Sequence, residues 1–253
     1  MHSELLRAWL RQCDEFHDCN DDNVGPNTKL PTRVIYIGGP DPAHLVLRLS
    51  TQVQEARYVA LSHCWGKITD EDKQRICTNN KNINDRLEGF DLAVLPPTFV
   101  DAVIVTRELG VEYLWIDSLC IIQDNHEDWK HEAALMEDVF ASAYCTIAAT
   151  SAQHSGQSFL KRDSASRYVQ IQDSSGNKFH VCERLDNFTK DVDGARLNTR
   201  GWVLQERALA RRTIHFSANQ TYWECGQGVH CEDLIRLERL DLTPKYLQSN
   251  FNM

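Results

Sequence analysis

The sequence predicts an α/β fold: a three-layer sandwich with a mainly parallel sheet, a strand pair ahead of it and a hairpin behind it. Three observations carry this. Between Tyr58 and Thr150 short apolar runs alternate with amphipathic helical segments, the pattern of right-handed crossovers joining parallel strands. On either side of that stretch, apolar runs flank turn-forming residues, as antiparallel pairs do. The chain has 253 residues, 42% hydrophobic and 25% charged, which suits one elaborated soluble domain with a single large core.

Taken in order, Leu5 to Cys13 shows helical spacing of apolar residues and leads into a polar loop from Asp18 to Thr28. Arg33–Ile37 and His44–Leu49 read as two strands around Gly38-Gly39-Pro40-Asp41-Pro42, placed as a hairpin at the edge of the main sheet. The central alternation is Tyr58–Ser62, helix Thr98–Leu109, Tyr113–Asp117, helix Asp128–Ala141 and Tyr144–Thr150. Pro96-Pro97 starts the first of these helices and Gly110 stops it. In the second, Trp129, Ala133, Met136, Phe140 and Ala143 form the apolar face, with His131, Glu132, Glu137 and Asp138 opposite. Regularity breaks over Ser151–Ser158, and the polar segment beyond it holds two weak strands, Tyr168–Gln172 and Lys178–Cys182. A helix Trp202–Leu209 and a hairpin, Thr213–Phe216 with Thr221–Cys225, complete the pattern. No internal repeat or low-complexity tract interrupts it.

Charge and cysteine usage narrow the function classes. A formal charge of −9 disfavours nucleic acid as partner, because phosphate-backbone affinity comes from clustered Lys and Arg. No apolar run reaches the roughly 20 residues of a membrane span, and the start lacks a secretory signal, so a cytoplasmic protein is expected. Nine cysteines, scattered singly, predict reduced thiols rather than a disulfide framework. Cys13, His17 and Cys19, with His230 and Cys231 as distant companions, form no paired C-x-x-C unit, and no metal site is expected. No tightly bound cofactor is expected either, since the chain has no Gly-rich phosphate loop.

Ligands of open α/β sheets bind at the carboxyl ends of the strands, which puts Ser62, His63, Cys64 and Trp65 in one candidate loop and Asp117 in a second. Glu206 lies four residues after Trp202 on a short helix, so a carboxylate and an indole share a face. Such a group is suited to stabilising a cationic transition state, and its structural alternative is a surface salt bridge to Arg207, Arg211 or Arg212. A Cys64 nucleophile is the weaker alternative, because His63 and Cys64 point to opposite faces of an extended chain. Asp117 has an alternative too, as the cap of the following turn.

Five segments together resemble the fungal heterokaryon incompatibility (HET) domain. These are Tyr58–Gly66, Leu95–Ala102, Tyr113–Cys120, Thr146–Ala152 and Arg200–Arg207. HET domains are in turn similar to Toll/interleukin-1 receptor (TIR) domains, of flavodoxin-like architecture. The resemblance implies a lead-in at 1–55, a HET domain at 56–225 and an extension at 226–253, the whole being a piece of a longer protein. Trp202-Val203-Leu204-Gln205-Glu206 resembles the Trp-Cys-x-x-Glu motif of enzymatic TIR domains, with Val203 in place of Cys. It implies Glu206 as catalytic residue of an NAD glycohydrolase in non-self recognition and cell death. Ser62, His63, Trp65, Asp117, Arg200 and Trp202 are the implied NAD-binding residues. Activity is expected on homo-oligomerisation, with a protein partner engaged through the missing C-terminal region. The alternative is a non-catalytic TIR-like assembly module.

Overall fold

The strands that build the centre of the sheet are mostly apolar, and in the computed structural model nearly all of their residues are buried. The structure describes residues 3–17, 19, 29–54, 56–67, 69–162, 168–182, 187–199, 201–232 and 236–237. Helix α1 (Ser3–Phe16) buries Leu6, Trp9, Leu10 and Cys13, a stripe at three- and four-residue spacing. β1 (Arg33–Tyr36) and β2 (His44–Leu49) pair antiparallel, with Ile35 opposite Leu47. β3 (Tyr58–Ser62) follows with every residue buried. Three elements that the apolar pattern does not announce come next: α2 (Asp70–Ile76), α3 (Ile83–Glu88) and β4 (Phe90–Asp91). The Thr69 side chain caps α2 by accepting the Asp72 amide.

The alternation then runs as read: α4 (Pro97–Glu108), β5 (Tyr113–Trp115), α5 (Asp117–Cys120), α6 (His126–Ser142) and β6 (Cys145–Ala148). β5 is shorter than expected because Ile116 is the residue before a helical turn that begins at Asp117. β7 (Tyr168–Gln172) and β8 (Lys178–Cys182) form a two-stranded sheet of their own. Helix α7 (Gly201–Leu209) leads to β9 (Arg212–Phe216), β10 (Thr221–Cys225), β11 (Gly228–Cys231) and β12 (Arg236–Leu237).

The main sheet has ten strands in the order β12-β11-β10-β9-β6-β3-β5-β1-β2-β4. It is mixed, which corrects the expectation of a mainly parallel sheet. Only β5, β3, β6 and β9 run parallel, and every other junction is antiparallel. The reason lies in the connections. Parallel neighbours need a long crossover, supplied here by α4, α6 and the segment ending in α7, whereas the short turns from β1 to β2, β9 to β10 and β10 to β11 permit only antiparallel return. The predicted edge strand pair and C-terminal hairpin are both there, incorporated into the sheet.

Helix α6 corrects a second expectation. Trp129 is exposed and stacks on His126, whereas Glu132 is buried beside Val139 and Phe140. Arg33 on β1 decides this: its guanidinium, itself buried, bonds Asp128 at 2.6 Å and approaches Glu132 at 3.3 Å, so two acids at i and i+4 must face inward. Burial pushes the Glu132 carboxyl up, and the Thr32 hydroxyl and Arg33 oppose that shift. The same buried face of α6 is also held by Phe140, edge-on to Trp115, and by the Tyr58 hydroxyl, which donates to the Val139 carbonyl. Among the described residues no helix is long and apolar enough to cross a membrane. Eight described cysteines are free thiols, as expected from their spacing.

Candidate active-site cleft

β3 brings Ser62 to its carboxyl end, where pleat alternation sends Ser62 and His63 to opposite sides. Ser62 lies in register with Ala148 on β6, and Ala148 with His215 on β9, so these three residues share one face. Helix α7 covers that face. Its Val203 packs with Cys64, Ala148 and Leu197, and Glu206, three residues on, points the same way. The Ser62 hydroxyl donates to Glu206 Oε2 at 2.6 Å. The two residues are 144 positions apart in the chain, and this short bond ties the helix to the strand end.

A second set forms on the neighbouring strand end. The Trp65 indole N–H donates to Asp117 Oδ2 at 2.7 Å, and Asp117 Oδ1 accepts the Ser118 amide at 2.6 Å. His63 stacks on Trp65, meets Phe99 of α4 edge-on, and holds Nδ1 3.9 Å from Asp117 Oδ1. The loop that carries Trp65 is pinned from above. Ser155 donates both its hydroxyl and its amide to the Trp65 carbonyl, and a Cβ on Gly66, at φ +77°, would fall 2.2 Å from the His154 Cβ. Both steric room and backbone angle therefore require glycine at 66. The irregular segment after β6 is thus the lid on this loop.

Of the residues predicted for the site, Ser62 and Glu206 are brought into contact, and His63, Trp65 and Asp117 form the adjoining set. Arg200 lies outside the described residues, as does the side chain of Trp202, whose main chain belongs to α7. Cys64 is buried in the apolar contact with Val203, poorly placed for attack on a substrate. Asp117 is the first residue of α5, whose cap position is Ile116, and its carboxylate holds the Trp65 indole.

The cleft between α7 and the sheet leaves about 10 Å³ for the centre of a water molecule and is lined by Ser62, Thr146, Ala148, Leu197, Asn198, Val203, Arg207, Thr213 and His215. Small-molecule pockets are typically ~300–1,000 Å³, so this one is too small as it stands for a dinucleotide. Its far wall carries residues that the sequence reading passed over. Arg207 grips Glu224 through Nε at 2.8 Å and Nη2 at 3.2 Å, and bonds Asp193 at 2.7 Å through Nη1. His215 Nε2 lies 2.8 Å from the same Glu224 Oε2. Burial alone would raise the Glu224 carboxyl, but His215 and Arg207 outweigh it and hold the group far below the usual carboxylate range. Burial likewise lowers Arg207, and Glu224 and Asp193 more than restore its charge. A signal was present: Thr213 and His215 alternate on one strand, Tyr222 and Glu224 on the next, and registered polar residues on apolar strands mark a polar face.

The fold is that of an α/β domain, and the Glu206 carboxylate lies at the carboxyl edge of its parallel strands, where open α/β sheets take their ligands. The particular family follows from the sequence profile: the model of the heterokaryon incompatibility protein (HET) family matches residues 58–206, more than half of the chain. The chain belongs to the HET family, and its role is accordingly in fungal heterokaryon incompatibility. No curated protein and no solved structure matches the chain.

Proposed function

We propose that this domain hydrolyses NAD at the nicotinamide–ribose bond, with Glu206 as the group that stabilises the transition state. The observation that carries this reading is the Ser62–Glu206 hydrogen bond, which joins the two ends of the family-matched segment at the carboxyl edge of β3. In the reaction the C1′–N bond breaks, its electron pair leaves with neutral nicotinamide, and the ribose acquires oxocarbenium character. Water then adds to C1′ and releases a proton, giving ADP-ribose. A carboxylate fixed by Ser62 meets the developing positive charge without reorganising during the step. Trp65 offers an aromatic face, and His63, Asp117 and Arg200 supply polar contacts to ribose and pyrophosphate.

The small volume of the cleft shapes the rest of the proposal. NAD enters only if α7 and the segment 151–160 separate, and in this reading self-association is what drives that separation. The same observation favours a second reading, a TIR-like, three-layer assembly module that signals cell death in the cytoplasm without turning over NAD. One experiment separates the two. The purified chain, concentrated or crowded, is incubated with NAD and nicotinamide is measured, in parallel with Glu206→Gln. Release by the wild type that falls on the order of 10²–10³-fold in the variant supports catalysis. Equal release by both removes Glu206 from the mechanism, and assembly without release by either establishes the module.

A further inference from the structure

Four ligand-bearing side chains converge at the opposite end of the molecule from the cleft loops. Cys13 ends the buried stripe of α1, His17 lies one helical turn beyond it, Cys19 follows, and Cys225 is the last residue of β10. Their sulfurs and an imidazole nitrogen all lie within 4.8 Å of one another. The His17 ring presents Nδ1 to the Cys225 sulfur at 3.4 Å. We propose that Cys13, His17, Cys19 and Cys225 form a structural Zn²⁺ site of Cys₃His type.

Three independent features support the assignment. The donor set is the first. A tetrahedral ion with Zn–S bonds of about 2.3 Å and Zn–N bonds of about 2.0 Å separates its ligand atoms by roughly 3.5–3.8 Å, and here one pair stands at 3.4 Å with all four atoms within 4.8 Å. The second is the way the site is framed. Cys13 and His17 are four residues apart, as two ligands on one helical face must be, and the His17 amide still bonds the Cys13 carbonyl at 3.3 Å. The turn after Cys225 comes close to the sulfurs: backbone amides of Gly226 and Gln227 bond Cys19 and Cys225, and a Cβ on Gly226 would lie 3.4 Å from Cys19 Sγ. Amide donors to sulfur are the outer-shell contacts that orient metal thiolates.

The third is the surrounding scaffold, which already brings these two distant segments together. Trp9 packs on Trp223, and Asp14 accepts bonds from Arg212 at 2.7 Å and the Tyr144 hydroxyl at 2.8 Å. All four ligands come from protein, so the coordination shell is closed and the role is structural rather than catalytic. Binding converts three thiols to thiolates and releases three protons, with no change of oxidation state. The four residues lie outside the family-matched stretch of 58–206, so this clasp ties the lead-in helix to the C-terminal strands and belongs to neither end of the HET core.

The test uses the full chain, reduced and stripped of metal, titrated with Co²⁺ and then Zn²⁺. We expect about one Co²⁺ per chain, with intense thiolate-to-metal absorption and tetrahedral d–d bands that Zn²⁺ abolishes. Cys225→Ser should lose the bands, and Cys231→Ser, which alters a buried thiol on the adjacent strand, should keep them. His17→Cys should retain tetrahedral binding with a shifted spectrum, which covers the case in which Cys225→Ser fails to fold. Absence of stoichiometric binding by the wild type overturns the proposal. So does binding that survives the loss of Cys225, or an intact mass that shows Cys225 in a disulfide.

Discussion

Glu206 and Glu224 stand over the same face of one sheet, one beside the end of β3 and the other on β10. Glu224 is locked by two basic side chains, Arg207 in a two-point grip and His215 at 2.8 Å, which hold its pKa far below the usual carboxylate range despite burial. Glu206 instead accepts a hydroxyl hydrogen bond from Ser62, on a helix at the rim of the cleft. A carboxylate compensated by protein cations stabilises the fold, and little of its field is left for a substrate. Glu206 stands at the carboxyl end of β3, where ligands of open α/β sheets bind. The proposed function therefore gives structure to Glu224 and chemistry to Glu206, and matched substitutions can break that assignment.

Glu206→Gln has the largest expected effect on function, the 10²–10³-fold loss of nicotinamide release already described, which corresponds to about 2.7–4 kcal/mol of transition-state stabilisation. Its effect on unfolding should be small, since the amide still accepts the Ser62 hydroxyl. Glu224→Gln should do the reverse. It takes the shared carboxylate charge away from Arg207 and His215 in a mostly buried environment, and the loss of one partner from such a cluster costs on the order of 2–4 kcal/mol, toward the lower end because Arg207 keeps Asp193 and the cluster keeps some contact with water. Urea unfolding of both variants measures this, and specific activity per folded molecule should be nearly unchanged in Glu224→Gln. A Glu224→Gln protein of full stability but abolished turnover would invert the assignment.

Acid sharpens the same contrast. Glu224 has a folded-state pKa depressed below its unfolded value of about 4.5, so the stability it contributes is complete above that pH and is lost as pH falls through and below it. The wild type should therefore lose denaturant resistance between about pH 5 and pH 3, within the range where an unfolded carboxylate takes up its proton. Glu224→Gln should show a shallower decline over that window, and the two unfolding midpoints should approach each other at its lower end. Parallel profiles would mean that other acids dominate acid unfolding.

The same two glutamates mark how far the sequence could be read. Glu206 was legible because it belongs to a short helix with a recognisable Trp-x-x-x-Glu spacing, and Ser62 because it ends an unbroken apolar strand. Glu224 was not, because its meaning lies in register: only when β9 and β10 pair do His215 and Glu224 meet, and only when α7 docks does Arg207 reach them. The inward turn of Glu132 was hidden for the same reason, since the helical pattern shows an acid on a polar face and gives no sign of the buried Arg33 that draws it in. The parallel core was predicted from alternation, but local pattern cannot tell whether a flanking hairpin adds to that sheet or stands apart. In Cys13, His17 and Cys19 the missing information was a fourth partner more than two hundred residues away, supplied by tertiary structure alone.

Ser62→Ala has the smallest expected effect and is the finest probe of the comparison. The hydroxyl is buried and donates a short bond to a carboxylate, so its removal should lower stability by about 1–2 kcal/mol, the range for a hydrogen bond to a charged group. The carboxylate itself remains. If Ser62 only aims Glu206, turnover should fall roughly tenfold, the equivalent of about 1.4 kcal/mol, well short of the loss in Glu206→Gln. Ser62→Thr keeps the donor at the price of one methyl group and should recover most of the activity. Steady-state nicotinamide release in the three proteins decides the point. A loss in Ser62→Ala as deep as in Glu206→Gln would mean that the hydroxyl takes part in the chemistry directly. No loss at all would mean that the carboxylate is positioned by something other than the 2.6 Å bond that now holds it.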